Sequence, residues 1–152
     1  MNEIAEIING TLHSGIPVEI MEYSIDSRSV VTPEHTLFFA LTGNNHNGHD
    51  YIRTLYSDGM RAFVISEFRE EFNQLTGANF IVVENVLTAL QQLAAHHRQH
   101  TQAEVIGITG SNGKTVVKEW LYQLLVNDHA VYRSPRSYNS QVGVPLSLLG
   151  ID

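Results

Sequence analysis

Residues 107–115 read Gly-Ile-Thr-Gly-Ser-Asn-Gly-Lys-Thr, after the apolar pair Val105-Ile106 and before a segment, 116–125, with helical spacing. A strand that runs through a glycine-rich turn into a helix restricts the chain to the α/β class. The same order makes an anion cradle: glycines let backbone N–H groups converge on phosphate oxygens, and the helix dipole favours their charge. In such a loop Lys114 reaches the β- and γ-phosphates of a nucleoside triphosphate and the Thr115 hydroxyl binds Mg²⁺. The spacing departs from the general P-loop pattern, which places glycine where this chain has Ile108; the glycines stand at 107, 110 and 113. The competing reading is a ligand-free turn at a strand end. Only two lysines occur in the chain, Lys114 and Lys118, and one of them falls in the loop.

The 152 residues suffice for one ordinary domain, or a small domain with part of another. Hydrophobic content of 43% and charged content of 16% suit a folded soluble chain. The net charge of −7 is carried by residues 1–100, with five Arg and twelve acidic residues, whereas 101–152 balance. No basic stripe exists, so nucleic acid is not an expected partner. The absence of cysteine excludes disulfides and thiolate metal sites and suits a reducing cytoplasm. The acidic N-terminus is no signal peptide, and no apolar run approaches the ~18–20 residues of a membrane span. Asn9-Gly10-Thr11 fits a glycosylation sequon but reads as a helix-ending glycine.

Apolar periodicity predicts helices over 3–8, 50–57, 67–72 and 86–99, and strands over 20–25, 36–41, 62–65 and 80–83. Residues 1–100 therefore form a small α/β sheet. A second unit, 101–152, opens with a strand at 105–106, the loop and its helix, then a strand near 130–132 and an apolar segment, 142–149. That is only the beginning of a doubly wound nucleotide-binding sheet. Trp120 and Leu121 read as core. The helix at 142–149 and the strand at 105–108 are short of sheet neighbours, so residues 101–152 are expected to be loosely held.

Three motifs then coincide in fixed order: Asp26-Ser27-Arg28 with Pro33 and the run from Leu37 to Gly43; Asn47-Gly48-His49-Asp50-Tyr51-Ile52; and the glycine-rich loop. Together they resemble the Mur ligase family, ATP-dependent enzymes that build the peptide of bacterial cell-wall precursors. The resemblance spans essentially the whole chain. Within the family, Gly-Lys-Thr-Val-Val-Lys-Glu at 113–119 and the run from Asn139 to Leu146 are similar to the branch that adds D-alanyl-D-alanine to UDP-N-acetylmuramoyl-tripeptide. The run from Ser134 to Gln141 is also similar to the form fused to an alanine racemase.

The resemblance implies an N-terminal domain, 1–100, that grips the UDP part of the precursor, followed by the start of an ATP-binding domain, 101–152. Ser27, Arg28, Thr42, Gly43, Asn45, His46, Asn47 and His49 would bind the precursor, with Asn139 near the ATP or acyl group. A hydroxyl, a guanidinium and loop amides can receive a diphosphate without a broad basic surface. Thr109, Gly110, Ser111, Asn112, Gly113, Lys114 and Thr115 would hold ATP, with Thr115 on Mg²⁺ and Lys114 neutralising the transferred phosphoryl group. In the family the precursor carboxylate becomes an acyl phosphate, which the incoming amine displaces. The family commonly has Asp before Gly-His, where this chain has Asn47, and that removes any role for charge there.

Plainer readings stand beside these. Asp26-Ser27-Arg28 alone is a turn with a surface ion pair. His46 and His49 could suggest a metal, but without a carboxylate they make a poor ligand set; packing of the substrate loop is the alternative. His96, His97 and His100 suit a solvated helix terminus, Asn139 a turn, and Lys118 an exposed surface. The family's remaining Mg²⁺-binding residues, its modified lysine and its C-terminal domain would lie beyond Asp152. The chain is thus expected to be the N-terminal part of a ligase, inactive alone and completed by the missing central and C-terminal domains. The alternatives are a non-catalytic UDP-sugar-nucleotide binding module and an unrelated small P-loop phosphotransferase.

Overall fold

The structure is a computed structural model that describes residues 1–43, 46–135 and 138–151. Five strands form one sheet: β1 (Thr11–His13), β2 (Glu22–Ser24), β3 (Thr36–Phe39), β4 (Ala62–Ile65) and β5 (Asn79–Val82), in the order β1-β5-β4-β3-β2. The strands from β2 to β5 are parallel and β1 runs antiparallel to β5, with Thr11 opposite Val82 and His13 opposite Phe80.

Every residue of β3 and β4 is buried, the mark of parallel strands covered on both faces. Alternate side chains feed two cores. Leu37, Phe39, Val64 and Ile81 pack with Ala5 and Ile8 of the N-terminal segment and with Leu90 and Leu93. Phe38, Ala40, Phe63, Ile65 and Phe80 pack on the other face with Ile52, Leu55 and Phe72. The helices are α1 (Asn2–Ile7), α2 (Ile52–Ser57), α3 (Val86–His100), α4 (Lys114–Leu125) and α5 (Gly143–Leu149). Asn85 caps α3 by accepting the Thr88 amide at 2.9 Å, which satisfies one of the helix's free donors.

Asn79, 3% exposed, ties the sheet to the segment that follows β1. Its Oδ1 accepts from the Gly15 amide at 2.9 Å, and its Nδ2 donates to the carbonyls of Ile16 and Arg61.

Several sequence expectations change here. The helix foreseen over 50–57 divides into a 3₁₀ turn, Gly48–Tyr51, and α2, and the one foreseen over 67–72 is a 3₁₀ turn at Glu70–Gln74. Strand β1 was not foreseen at all. No strand forms among the described residues of 101–151. Val105 and Ile106 stand 47% and 59% exposed; a strand needs a hydrogen-bonding neighbour, and none is beside them. Trp120 is 64% exposed rather than core, since α4 buries no residue. Lys118, in contrast, is well covered and donates to the Ser134 carbonyl at 2.8 Å.

The segment 142–149 packs against the first unit. It forms α5, which buries Gly143, Pro145 and Leu149 and adds Leu149 to the core under α1 and α3. Side chains of α3 grip both of its ends: Gln91 Nε2 donates to the Gln141 carbonyl at 3.2 Å, and His97 Nε2 to the Ile151 carbonyl at 2.7 Å. His96 and His100 stack on each other beside that contact. The helix end read as solvated is therefore partly an internal contact.

Candidate functional site

Four parallel strands bring their carboxyl ends to one edge of the sheet, the edge where open α/β sheets bind ligands. The segments leaving β2 and β3, which are adjacent strands, carry the residues singled out in the sequence: 26–28 follow the first and 42–49 the second.

After β2 the chain turns. Asp26 Oδ1 accepts the Arg28 amide at 3.0 Å, and its carboxylate receives Arg28 Nε and Nη2 at 2.9 and 2.8 Å. The carboxyl is held down at about 2, chiefly by the Arg28 side-chain hydrogen bonds. Arg28 is 86% exposed, and Ser27 beside it is half-buried. The ion-paired turn is thus real, and it leaves the guanidinium at the edge of the sheet.

After β3 the chain makes a tight excursion. Gly48 N donates to the Leu41 carbonyl at 2.8 Å and Gly43 N to the His46 carbonyl at 2.9 Å, while Thr42 bridges Asn47 antiparallel. A Cβ on Gly48 would stand 2.7 Å from the backbone of Ala40, so only glycine allows this return. Thr42, Gly43 and His46 are exposed. Asn45 lies outside the described residues, as do Asn44, Arg136, Ser137 and Asp152.

Asn47 and His49 differ from their neighbours. His49 is 2% exposed. The Ser66 amide donates to its Nε2 at 3.1 Å, which leaves the ring proton on Nδ1 to donate to Asn47 Oδ1 at 2.7 Å. The same amide oxygen accepts the His49 backbone N–H at 3.0 Å and the Thr42 hydroxyl at 3.2 Å. Burial, and then the Arg69 cation, hold His49 below the usual histidine range, against weaker opposing effects of Glu67 and Asp50. Both ring nitrogens are engaged within the protein and the ring is buried. Asn47 Oδ1 thus gathers three donors without a charge. Ser66 carries no side-chain signal, because its part is played by the backbone. Arg69, which pairs with Asp50 at 2.8 Å, likewise stood in no recognisable pattern.

In the glycine-rich loop, Gly110 and Gly113 adopt φ of 149° and 77°, and Gly113 caps α4 from the left-handed region. Thr109 through Gly113 and Thr115 are exposed. The Lys114 ammonium folds back on the Gly110 carbonyl. Open space surrounds Gly107 and Gly113, and the first turn of α4 leaves its amides without intrahelical partners. Asn139 is exposed ahead of α5. Among the described residues no cluster of His, Asp and Glu could hold a metal ion, and no helix is long and apolar enough to cross a membrane.

A five-stranded sheet with helices on both faces and two loops at its carboxyl edge places the chain in the α/β class. The model of the Mur ligase family, catalytic domain, matches residues 19–98. The chain belongs to the Mur ligase family. It is 30% identical over 151 residues to the UDP-N-acetylmuramoyl-tripeptide–D-alanyl-D-alanine ligase of Bacillus subtilis, covering 99% of this chain and 33% of that one. The Rickettsia prowazekii protein of the same name is 39% identical over 112 residues, 74% of this chain and 24% of that one. A crystal structure of MurF from Acinetobacter baumannii superimposes with a TM-score of 0.86 at 28% identity, covering 99% of this chain and 32% of that one. MurF ligase from Thermotoga maritima in complex with ADP gives 0.68 at 30% identity, over 84% of this chain and 28% of that one. The chain thus spans about a third of the length of the Bacillus relative, 33%.

Proposed function

We propose that this chain is the N-terminal portion of an ATP-dependent ligase that joins D-alanyl-D-alanine to UDP-N-acetylmuramoyl-tripeptide in peptidoglycan precursor synthesis. The observation that carries the reading is the meeting of the Asp26–Arg28 turn and the 42–49 excursion at the carboxyl edge of adjacent parallel strands. Residues 1–100 form the precursor domain. Arg28 pairs with the diphosphate, Ser27 and Thr42 offer hydroxyls, and the exposed Gly43 and His46 offer further polar groups. Residues 101–152 open the ATP-binding domain.

The loop fits a nucleotide phosphate. Its left-handed glycines, open surroundings and free helix amides are what such a group needs. Thr109 to Gly113 would surround the phosphates, with Thr115 beside Mg²⁺. Bound ATP supplies the phosphoryl group that activates the precursor carboxylate. Lys114 would then leave the Gly110 carbonyl to neutralise that group, a task of positioning and charge. The remaining domains of the ligase and the cytoplasm complete the proposal.

Calorimetric titration of the folded chain with UDP-N-acetylmuramoyl-tripeptide, with Ser27→Ala beside it, tests the precursor site. Binding that weakens in the variant supports the reading. Absence of heat with the folded wild-type chain would overturn the precursor site placed in residues 1–100.

A further inference from the structure

We infer that His49 and Asn47 are positioning residues: a neutral, Nδ1-protonated imidazole braces the Thr42–Asn47 bridge against the end of β4, holding Thr42 and Gly43 ready for an anionic ligand. The inference rests on the precursor-binding reading above.

The geometry leaves the imidazole one workable state. The Ser66 N–H can only donate, so Nε2 must be bare. The proton therefore sits on Nδ1 and goes to Asn47 Oδ1. That oxygen, in turn, gathers the Thr42 hydroxyl and the His49 amide. One ring thus connects the loop leaving β3 to the residue leaving β4, through a side chain that is 2% exposed. A second proton on the ring would set N–H against N–H at Ser66, and the strut would break. The charged groups facing the ring are Asp50, on its own turn, and Glu67 and Arg69, on the segment after β4. Arg69 is itself paired with Asp50 at 2.8 Å.

The sign of the pH dependence separates this role from a direct one. A ring that met the ligand directly would tighten binding of a diphosphate on gaining a proton, because the added cation attracts the anion. Loss of the His49 strut weakens it. An Asn47→Asp change keeps an acceptor of the same shape but places a carboxylate on the Nδ1 proton, which favours the imidazolium.

The test uses nitrogen NMR of the histidine rings together with calorimetry of UDP-N-acetylmuramoyl-tripeptide, from about pH 8 to about pH 4. The expected result is a bare Nε2 and protonated Nδ1 on His49 at the alkaline end. Affinity falls about tenfold as the ring takes its second proton, and Asn47→Asp moves the ring midpoint and the affinity midpoint upward together. An Nε2-protonated ring overturns the inference. So does affinity that ignores the His49 midpoint or rises on acidification, and either result leaves the function reading standing. A chain whose His49 behaves as described but which binds no precursor at any pH overturns the function reading, and the inference with it.

Discussion

The Arg28 guanidinium closes on the Asp26 carboxylate through two parallel bonds, Nε to Oδ1 at 2.9 Å and Nη2 to Oδ2 at 2.8 Å. The carboxylate occupies the fork that a diphosphate would use, so ligand and Asp26 compete for one cation. Arg28→Ala should weaken precursor binding by about tenfold or more, the scale of a lost charged hydrogen bond. Asp26→Asn should strengthen it. Equal weakening by both would mean that Asp26 shapes the turn instead. The Asp26 carboxyl should titrate at about 2 in a carbon NMR series and move towards the ordinary aspartate value of 3.8 in Arg28→Ala. Any stability that it lends is present above the ordinary carboxylate range and disappears as pH falls towards about 2. With Arg28 so exposed, solvent screens that contribution to a small one.

Asn79 satisfies three backbone groups at the junction of β5, the loop after β1 and Arg61. Asn79→Ala removes these three bonds, although the Arg61 carbonyl keeps the Asn79 backbone amide at 2.7 Å, and should cost about 2 kcal/mol. Urea denaturation should show this as a lower midpoint with an unchanged slope. Asn79→Asp should also destabilise, because a carboxylate keeps the Gly15 bond but turns an acceptor towards the Ile16 and Arg61 carbonyls. A loss within the usual surface range in both variants would contradict the burial.

Gly48→Ala forces a methyl group against the Ala40 backbone. Backbone cannot step aside as a side-chain tip can. The variant should lose ~1–3 kcal/mol and, because Gly48 N closes the excursion on Leu41, should lose precursor affinity as well. Unfolding and calorimetry on the same sample distinguish the two effects.

Trp120 is the single tryptophan and stands 64% exposed on α4 beside exposed Val116, Val117 and Leu124. Acrylamide should quench its fluorescence almost as it quenches a free indole. Trp120→Gln should change the stability of this chain by no more than ~0.5 kcal/mol, the range of surface sites, where a core tryptophan would cost ~3–5 kcal/mol. Shielding from the quencher would mean that the apolar face of α4 is covered.

The sheet was legible where the chain is apolar without interruption. Leu37–Phe39 and Ala62–Ile65 announce doubly covered strands because nothing polar interrupts them. Strand β1 was not legible: Thr11 and His13 are polar and exposed, and the strand exists through its pairing with β5, some seventy residues on. The strands expected at 105–106 and 130–132 were read from composition alone, and pairing is what composition leaves out. At the site, Asp26 and Arg28 could be foreseen as a pair since their contact is local. The burial of His49 could not, because its partner is the Ser66 amide, seventeen residues away, and backbone groups leave no trace in residue type.

Because α3 grips α5 at Gln91 and at His97, residues 101–142 leave one structure and come back to it. The glycine-rich loop is therefore an insertion closed at its base, not a tail hung from the end of α3. Closing a span of that length costs entropy that grows only slowly with length, so residues added within the insertion should leave α5 in its place on α3.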